Sequence, residues 1–495
     1  MRWNRTVPVR FVWLFAALTL TTLQPEIAFS ADSYTLKINN QNTTNIPTPY
    51  VTFTSTGMSY TNSTGSTVQI PAYTSVALSD IANAEITVSS TAVGGDFYIS
   101  NKKLKYRNGS GDCVDISAAH PVAPSPVNPT DCNINTRWQF VETGGDYDLT
   151  YINLFSVPLA LKVGSTEYGN VTAAEISALK TTLGNLTTPK NAAIHNDPNG
   201  NFVRAVSPAN AGRPGSTLLQ QYPTFDSYLA NRFTLPESGG HFSAININNT
   251  YNGPGVSNPN SVCTLNTNAF QSQNYSATAY YISLGGERKY LSLLWIFGSA
   301  DKVGDFAITG VRLRDSMTGV AACAGSTGPS YCYSTQMRPE DLNQAFYTAV
   351  MSYAVDNPAC PNFSAMAPIH DPKIVDTVES NGANDVFSVV VRDFLVGFAG
   401  GFVGSATPAP TNPTNAKTYG AMTSGEWSSL GTKLFGGLQP DHRYYNPWGA
   451  AIYGTFGNEV YGFQYSDYFS SSIGTPLLPV QAGGTVEITI LNESQ

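Results

Sequence analysis

The stretch that decides the fold is WQFVETGGDYDLTYINLFSVPLAL, residues 138–161. Apolar and polar residues alternate on both sides of Gly144 and Gly145, which predicts two antiparallel strands joined by a glycine turn. On the first strand Trp138, Phe140 and Glu142 share a face, because successive side chains point to opposite sides. The second is read as one continuous strand. It carries Tyr147, Leu149, Tyr151, Asn153 and Phe155 on one face, and Asp148, Thr150, Ile152 and Leu154 on the other. A carboxylate such as Glu142 on an apolar-faced strand is either paired at the surface or held at a site.

Upstream, residues 32–100 form a series of short alternating segments: YTLKINN, YVTFTS, TVQIPA, SVALSDI, AEITVSS and DFYIS. Gly, Asn, Ser and Pro punctuate them, the pattern of an antiparallel sandwich or barrel. Residues 101–135 contain PVAPSPVNPTDCN, and their prolines forbid a central strand. Downstream, AAEISALKTTLGN (173–185) predicts a helix capped by Thr172. The loop NDPNGN (196–201) lacks the glycine and glutamate of a calcium loop and reads as a turn. YPTFDSYLANRF (222–233) is amphipathic. Further strands are expected in FSAININ, AYYISL, YLSLLWIF and DFAITGVRL, a helix over 339–355, and a buried helix over 384–404. The segment 444–471 is expected to return to strands, and TVEITIL (485–491) to close the sheet.

Only 12% of the 495 residues are charged, and Gly (43) and Pro (31) are abundant. That points to a loop-rich, mainly β chain rather than a helical or disordered one. Residues 1–30 read as a secretory signal: Arg2, Arg5 and Arg10, an apolar run from Phe11 to Leu23, then Ala28-Phe29-Ser30. The expectation is a secreted protein, extracellular or periplasmic, without stable membrane insertion. Its loss would make the chain more acidic than its full-length charge of −8, which argues against nucleic acid as a partner. Six cysteines allow three disulfides, for which Cys113–Cys132, Cys323–Cys332 and Cys263–Cys360 are the preferred set among fifteen connectivities. Five scattered histidines and the absence of CxxC, P-loop, dinucleotide or nucleophile-elbow motifs predict no metal and no cofactor.

The run TYINLFSVPLAL resembles a strand of glycoside hydrolase family 64, the thaumatin-like endo-β-1,3-glucanases. In that family an aromatic–Val–Asp–x–x–Gly–x–Pro pattern follows a Trp–x–x–x–Glu strand. Trp138 and Glu142 match the first part; Tyr151, Ile152, Phe155 and Pro158 match the second. FYISNKKLKY followed by PVNPTD looks like the family's approach to its Glu strand. YNPWGAAIY and YGFQYSD look like its closing strands, with Gln464 and Ser466 departing from the pattern and Asp467 retained. The resemblance implies an α+β, mainly β fold: a thaumatin-like antiparallel β-sandwich or barrel domain with an inserted mixed α/β domain and a cleft between them. The expected organisation is a signal peptide at 1–30, the first part of the β domain at 31–205, the insertion at 206–440, and closing strands at 441–495.

The resemblance also implies a monomer that cleaves β-1,3-glucan endo-fashion with inversion. Glycoside hydrolysis needs a proton donor and a second carboxylate, roughly 6.5–9.5 Å apart when the enzyme inverts. Glu142 matches the family's acid. Asn153 stands where the family has its second catalytic aspartate, and an amide cannot accept a proton from water. Asp146 in the turn and Asp467 in the closing strands are the possible substitute bases, with Asp226 also within the chain's reach. Asp148 is set aside by parity with Asn153, absent a bulge. Tyr147, Tyr151, Asp226, Tyr228, Tyr445, Trp448 and Tyr465 are the candidate sugar contacts. Two other readings stand beside hydrolysis: a non-catalytic β-1,3-glucan-binding protein, and a structural or adhesin-like surface β protein.

Overall fold

A computed structural model describes residues 33–89, 96–143, 146–208, 218–222, 396–397, 399–409, 417–422, 426–427, 433–463 and 477–493. For 242–251, 273–284, 288–297, 306–314, 321–322 and 331–334 it describes the backbone strands alone. The expected signal segment, the 339–355 helix and most of the 384–404 helix lie outside the described residues.

Two sheets face each other across one core. The first has seven strands, in the order Thr166–Tyr168, Leu159–Val163, Thr485–Ile490, Tyr34–Asn40, Ile81–Val88, Met58–Asn62 and Thr67–Ile70. The second has six: Leu478–Pro479, Asp146–Leu149, Trp138–Thr143, Phe97–Ser100, Tyr50–Phe53 and Ser75–Ala77. Period-two alternation produces both inner faces. Leu36 and Ile38, Ile86 and Val88, and Val486, Ile488 and Ile490 point inward from the first sheet. Val51 and Phe53, Phe97 and Ile99, Val141, and Tyr147 and Leu149 meet them from the second. The hydroxyls of Tyr34 and Tyr147 join across the core at 2.8 Å.

The first and last described strands, Tyr34–Asn40 and Thr485–Ile490, pair in parallel in this sheet. Register there is also written in charge. Glu167, Lys162, Glu487, Lys37 and Glu85 lie opposite one another in turn across five strands. Alternating signs favour this register over one slipped by a residue.

The Thr172 cap appears as expected. Its side chain accepts from the Glu175 N–H, the Glu175 carboxylate accepts from the Thr172 N–H, and the helix Ala173–Gly184 buries Ile176, Leu179 and Leu183. The 196–201 loop is a turn, with Asp197 Oδ1 accepting from the Asn199 and Asn201 N–H groups. The four central strands expected between 242 and 314 form a six-stranded sheet with 321–322 and 331–334. Cys113–Cys132 is formed, with Cα atoms 5.6 Å apart. Cys263, Cys323 and Cys360 lie outside the described residues, so the other two pairings do as well.

One expectation is overturned at the closing segment. YNPWGAAIY is helical, not extended: Pro447–Phe456 forms an α-helix. Asn446 caps it through the Trp448 and Gly449 N–H groups, and Pro447 occupies the first turn, where its missing N–H costs nothing. Among the described residues no helix is long and apolar enough to cross a membrane.

The chain end is locked by a buried ion pair. Arg137 donates to both carboxylate oxygens of Glu493, at 2.6 and 2.7 Å, and also to the Ser156 carbonyl. Lys180 Nζ lies 3.1 Å from the same carboxylate, and Asn42 donates to it. Burial alone would raise the Glu493 carboxyl, but the Arg137 bonds and charge, with Lys180 and Asn42, hold it below the usual range. Its contribution to stability is therefore present above the ordinary carboxylate value and lost as pH falls through its lower folded value. Glu493→Ala is expected to cost about 3–5 kcal/mol at neutral pH by leaving Arg137 buried and unpaired, with a smaller difference from wild type in strong acid. Urea denaturation at two pH values checks both the size and the sign.

Candidate active site

The candidate residues lie on the outer face of the second sheet. Strand parity puts Trp138, Phe140 and Glu142 there, as the sequence predicts, while Gln139, Val141 and Thr143 face the other way. Two buried arginines fix where this strand begins. Arg137 is held by Glu493. Arg204, fully buried, reaches the Asn133, Ile134 and Thr136 carbonyls with Nη2 and lies 5.7 Å from the Trp138 ring. Burial lowers its pKa to about 10, still far above neutrality, so it stays charged and keeps these bonds.

The Trp138 end of the face is covered. Leu104 and Ile116 of the 101–136 connection, which the Cys113–Cys132 bond cross-links, pack on Trp138, Tyr98 and Leu154. Tyr98 contacts Trp138 edge-on at 5.7 Å and Phe140 at 5.1 Å. The other end is more open, with Phe140 and Glu142 half-buried.

At that end four acids gather. Glu142 lies directly opposite Asp148 across the strand pair. Asp146 shares this face one step further along, opposite Pro479 and half-buried. On the other flank, Asp96 precedes the Phe97 strand and its Oδ1 accepts from the Thr143 N–H at 2.9 Å. Burial raises the Asp96 carboxyl although that bond lowers it, and burial alone raises Asp146. Tyr73, at φ 56°, is raised by burial and by the Asp96 charge. No group of three His, Cys, Asp or Glu among the described residues has the spacing to hold a metal ion.

The parity argument against Asp148 is corrected here. It assumed an unbroken strand through Asn153, but the strand ends at Leu149. Thr150 bridges to Tyr461, the chain bends at 152–153, and Leu154–Phe155 joins a different sheet with Phe202–Val206. Parity relative to Asn153 therefore says nothing about Glu142. Opposition across the hairpin, which needs the register 143↔147 and not merely the alternation, puts Asp148 and Glu142 on one face. Asp148 is only 5% exposed. Asn153 is half-buried, and its carbonyl accepts from the Ser207 N–H.

Three of the aromatic sugar contacts expected from sequence are core residues. Tyr151 is fully buried, stacks on Phe456 at 5.0 Å, and its hydroxyl accepts from the Leu159 N–H. Trp448 is 1% exposed and donates its indole N–H to the Tyr151 carbonyl. Tyr147 closes the inter-sheet contact with Tyr34. Their rings satisfy the core and present no open face. Tyr445 is half-buried against Phe435, away from these strands in sequence. Asp226, Tyr228, Tyr465 and Asp467 lie outside the described residues.

Glu142, Asp148 and the half-buried Phe140 thus share one face of the sheet. Residues 28–235, which include Glu142, Asp146, Asp148 and Asn153, match the model of glycoside hydrolase family 64, described as beta-1,3-glucanase. The resemblance first seen around Trp138 thus extends over that span, which is beta-1,3-glucanase-like in sequence. Among solved structures, a laminaripentaose-producing beta-1,3-glucanase in complex with laminaritetraose is similar at 13% identity. The match covers 94% of this chain and 99% of that one, with a TM-score of 0.47. No curated protein matches the chain.

The raised Asp96 carboxyl makes a testable statement. A raised carboxyl destabilises the fold where it is ionised, so stability falls as pH rises from the ordinary carboxylate value through the folded one. Asp96→Asn keeps an acceptor for the Thr143 N–H and removes the charge. It is expected to raise the melting temperature by roughly 1–3 °C at pH 7, with the gain vanishing near pH 4. Calorimetry at the two pH values measures it.

Proposed function

We propose that this protein is a secreted glycoside hydrolase that cleaves β-1,3-glucan endo-fashion with inversion, Glu142 acting as acid and Asp146 as base. The observation that carries the reading is the placement of Glu142 and Asp146 on one open face. They are diagonal neighbours across the strand pair, and such positions lie about 7–8 Å apart between Cα atoms. From that backbone spacing the two side chains can hold their carboxyl groups apart by the separation that leaves room for a water. The family match over 28–235 supports the substrate class. In this reading residues 206–440 form an inserted domain that supplies the second wall of the cleft, and the protein works as a monomer.

The chemistry is a single displacement. The Asp146 carboxylate takes a proton from water as its oxygen attacks the anomeric carbon. The glycosidic C–O bond breaks, and the leaving oxygen takes the proton from Glu142. The half-open ring of Phe140, next but one to Glu142 on the same face, offers an apolar surface to a sugar ring.

The second reading, a glucan-binding protein without turnover, is favoured by one observation: Asn153 stands where the family has its aspartate. Reducing-end release from soluble β-1,3-glucan separates the two. Hydrolysis predicts release by the wild type, lowered on the order of 10²–10⁴-fold by Glu142→Gln and by Asp146→Asn, with Asn153→Asp within a few-fold of wild type. No release by the wild type, glucan retention on an affinity gel, and release gained by Asn153→Asp would establish the binding reading instead.

A further inference from the structure

Tyr73 holds a conformation that its packing explains only in part. Among the described residues two with large side chains have a positive φ, Tyr73 at 56° and Phe435 at 52°. A bulky residue in the left-handed region is strained and persists only where its surroundings demand it. Packing accounts for Phe435, which is 7% exposed and meets the rings of Tyr445, Tyr453 and Phe463. Tyr73 stays half-open. Its N–H donates to the Phe53 carbonyl at 2.6 Å, a bond that fixes the backbone and calls for no ring at this position. Glycine or asparagine would meet the backbone's need with less strain, as asparagine does at positions 83 and 191.

Register says where the ring sits. Phe53 pairs with Phe97, and Phe97 with Val141. The Tyr73 backbone therefore enters level with the Phe140–Glu142 stretch, two strands away, a distance of about 10 Å. Its side chain packs on the cluster of Tyr98, Trp138 and Leu104, as does Phe140, so both half-open rings lie on the face that carries Glu142. Ser75, two residues on, accepts from the Leu104 N–H and ties the turn to that cluster. Asp96 lies between, close enough for its charge to act on the Tyr73 phenol. We propose that Tyr73 is a substrate-binding residue, a second sugar platform on the Asp96 flank that a β-1,3-glucan chain reaches by crossing the strands from Glu142. The inference rests on the hydrolase reading for its substrate class. A half-open ring beside a carboxylate suits a neutral pyranose, whose apolar face stacks while its hydroxyls find hydrogen-bond partners, and it repels an anionic chain. Tyr73 lies too far along the face to touch the reacting bond, so its contribution is to affinity and not to the chemical step.

Retention on affinity gels cast with soluble β-1,3-glucan tests this in the full chain, with or without turnover. Tyr73→Ala removes the ring and is expected to weaken the dissociation constant about ten-fold. Tyr73→Phe keeps the ring and is expected to stay within about three-fold of wild type. Tyr73→Gly should bind as weakly as Tyr73→Ala yet melt no lower, because glycine takes the left-handed backbone without the Cβ clash. Binding lost without loss of stability separates a sugar contact from a loosened fold. Where the wild type releases sugar, Tyr73→Gly should raise KM for long glucan about ten-fold and leave kcat within about two-fold. Wild-type retention by Tyr73→Ala overturns the proposal and leaves the hydrolase reading standing. A loss in Tyr73→Phe as large as that in Tyr73→Ala overturns the stacking role. A wild type that neither retains nor cleaves the glucan overturns both this inference and the reading beneath it.

Discussion

The geometry of the acidic face depends on the buried Arg137–Glu493 pair. Arg137 immediately precedes Trp138, and Glu493 lies just beyond the strand Thr485–Ile490 of the other sheet. The pair therefore ties the start of the Glu142 strand to the chain's last strand, while Lys180 and Asn42 draw in the Ala173–Gly184 helix and the connection after Tyr34–Asn40. A buried ion pair is poor evidence of net stability, because desolvation offsets much of the attraction. Its value here is geometric: a bidentate fork has one low-energy orientation, and the carboxylate must find it for either charge to be tolerated. Arg204 applies the same logic to the preceding turn, gathering the Asn133, Ile134 and Thr136 carbonyls with one nitrogen. Between them the two arginines set the position of Trp138, and four residues of regular strand carry that position to Glu142.

The two sheets treat charge in opposite ways. Across the seven-stranded sheet, glutamate and lysine alternate over five strands, and the pairs that touch are exposed. Lys37–Glu85 at 3.9 Å and Lys162–Glu487 at 3.7 Å are each worth little, yet together they mark the register. On the six-stranded sheet the facing residues are both acids. Elsewhere in the described registers, a carboxylate that faces an ionisable residue faces a lysine.

Much of this was legible in the sequence, and what was not has identifiable causes. Short alternating strands, the Thr172 cap and the Cys113–Cys132 closure are local features, governed by residues within a few positions of one another. The face shared by Trp138, Phe140 and Glu142 follows from period two. The misreadings came where non-local contacts decide. Tyr151 and Trp448 look like sugar platforms from composition, but a ring's role depends on what lies over it, and here the Leu159 N–H and the Tyr151 carbonyl complete their hydrogen bonds inside the core. The helix Pro447–Phe456 was read as a strand because its apolar and aromatic residues suit either, while the cap Asn446 and the first-turn Pro447 were the signals that would have decided it.

Asp148 shows most plainly why parity has to be counted from the right partner. Alternation along a chain is reliable only as far as the strand is continuous, and this one ends at Leu149, four residues before Asn153. Opposition across the hairpin is the stronger constraint, since it depends only on the register between Thr143 and Tyr147. Counted that way, the chain that has an amide at position 153 has three aspartates around Glu142, and they differ in environment. One is tied to a backbone N–H, one is half-open and diagonal, and one is nearly buried and directly opposed. Environment, not identity, divides roles among like groups. The face of the sheet that carries Glu142 therefore holds aspartates in three different settings.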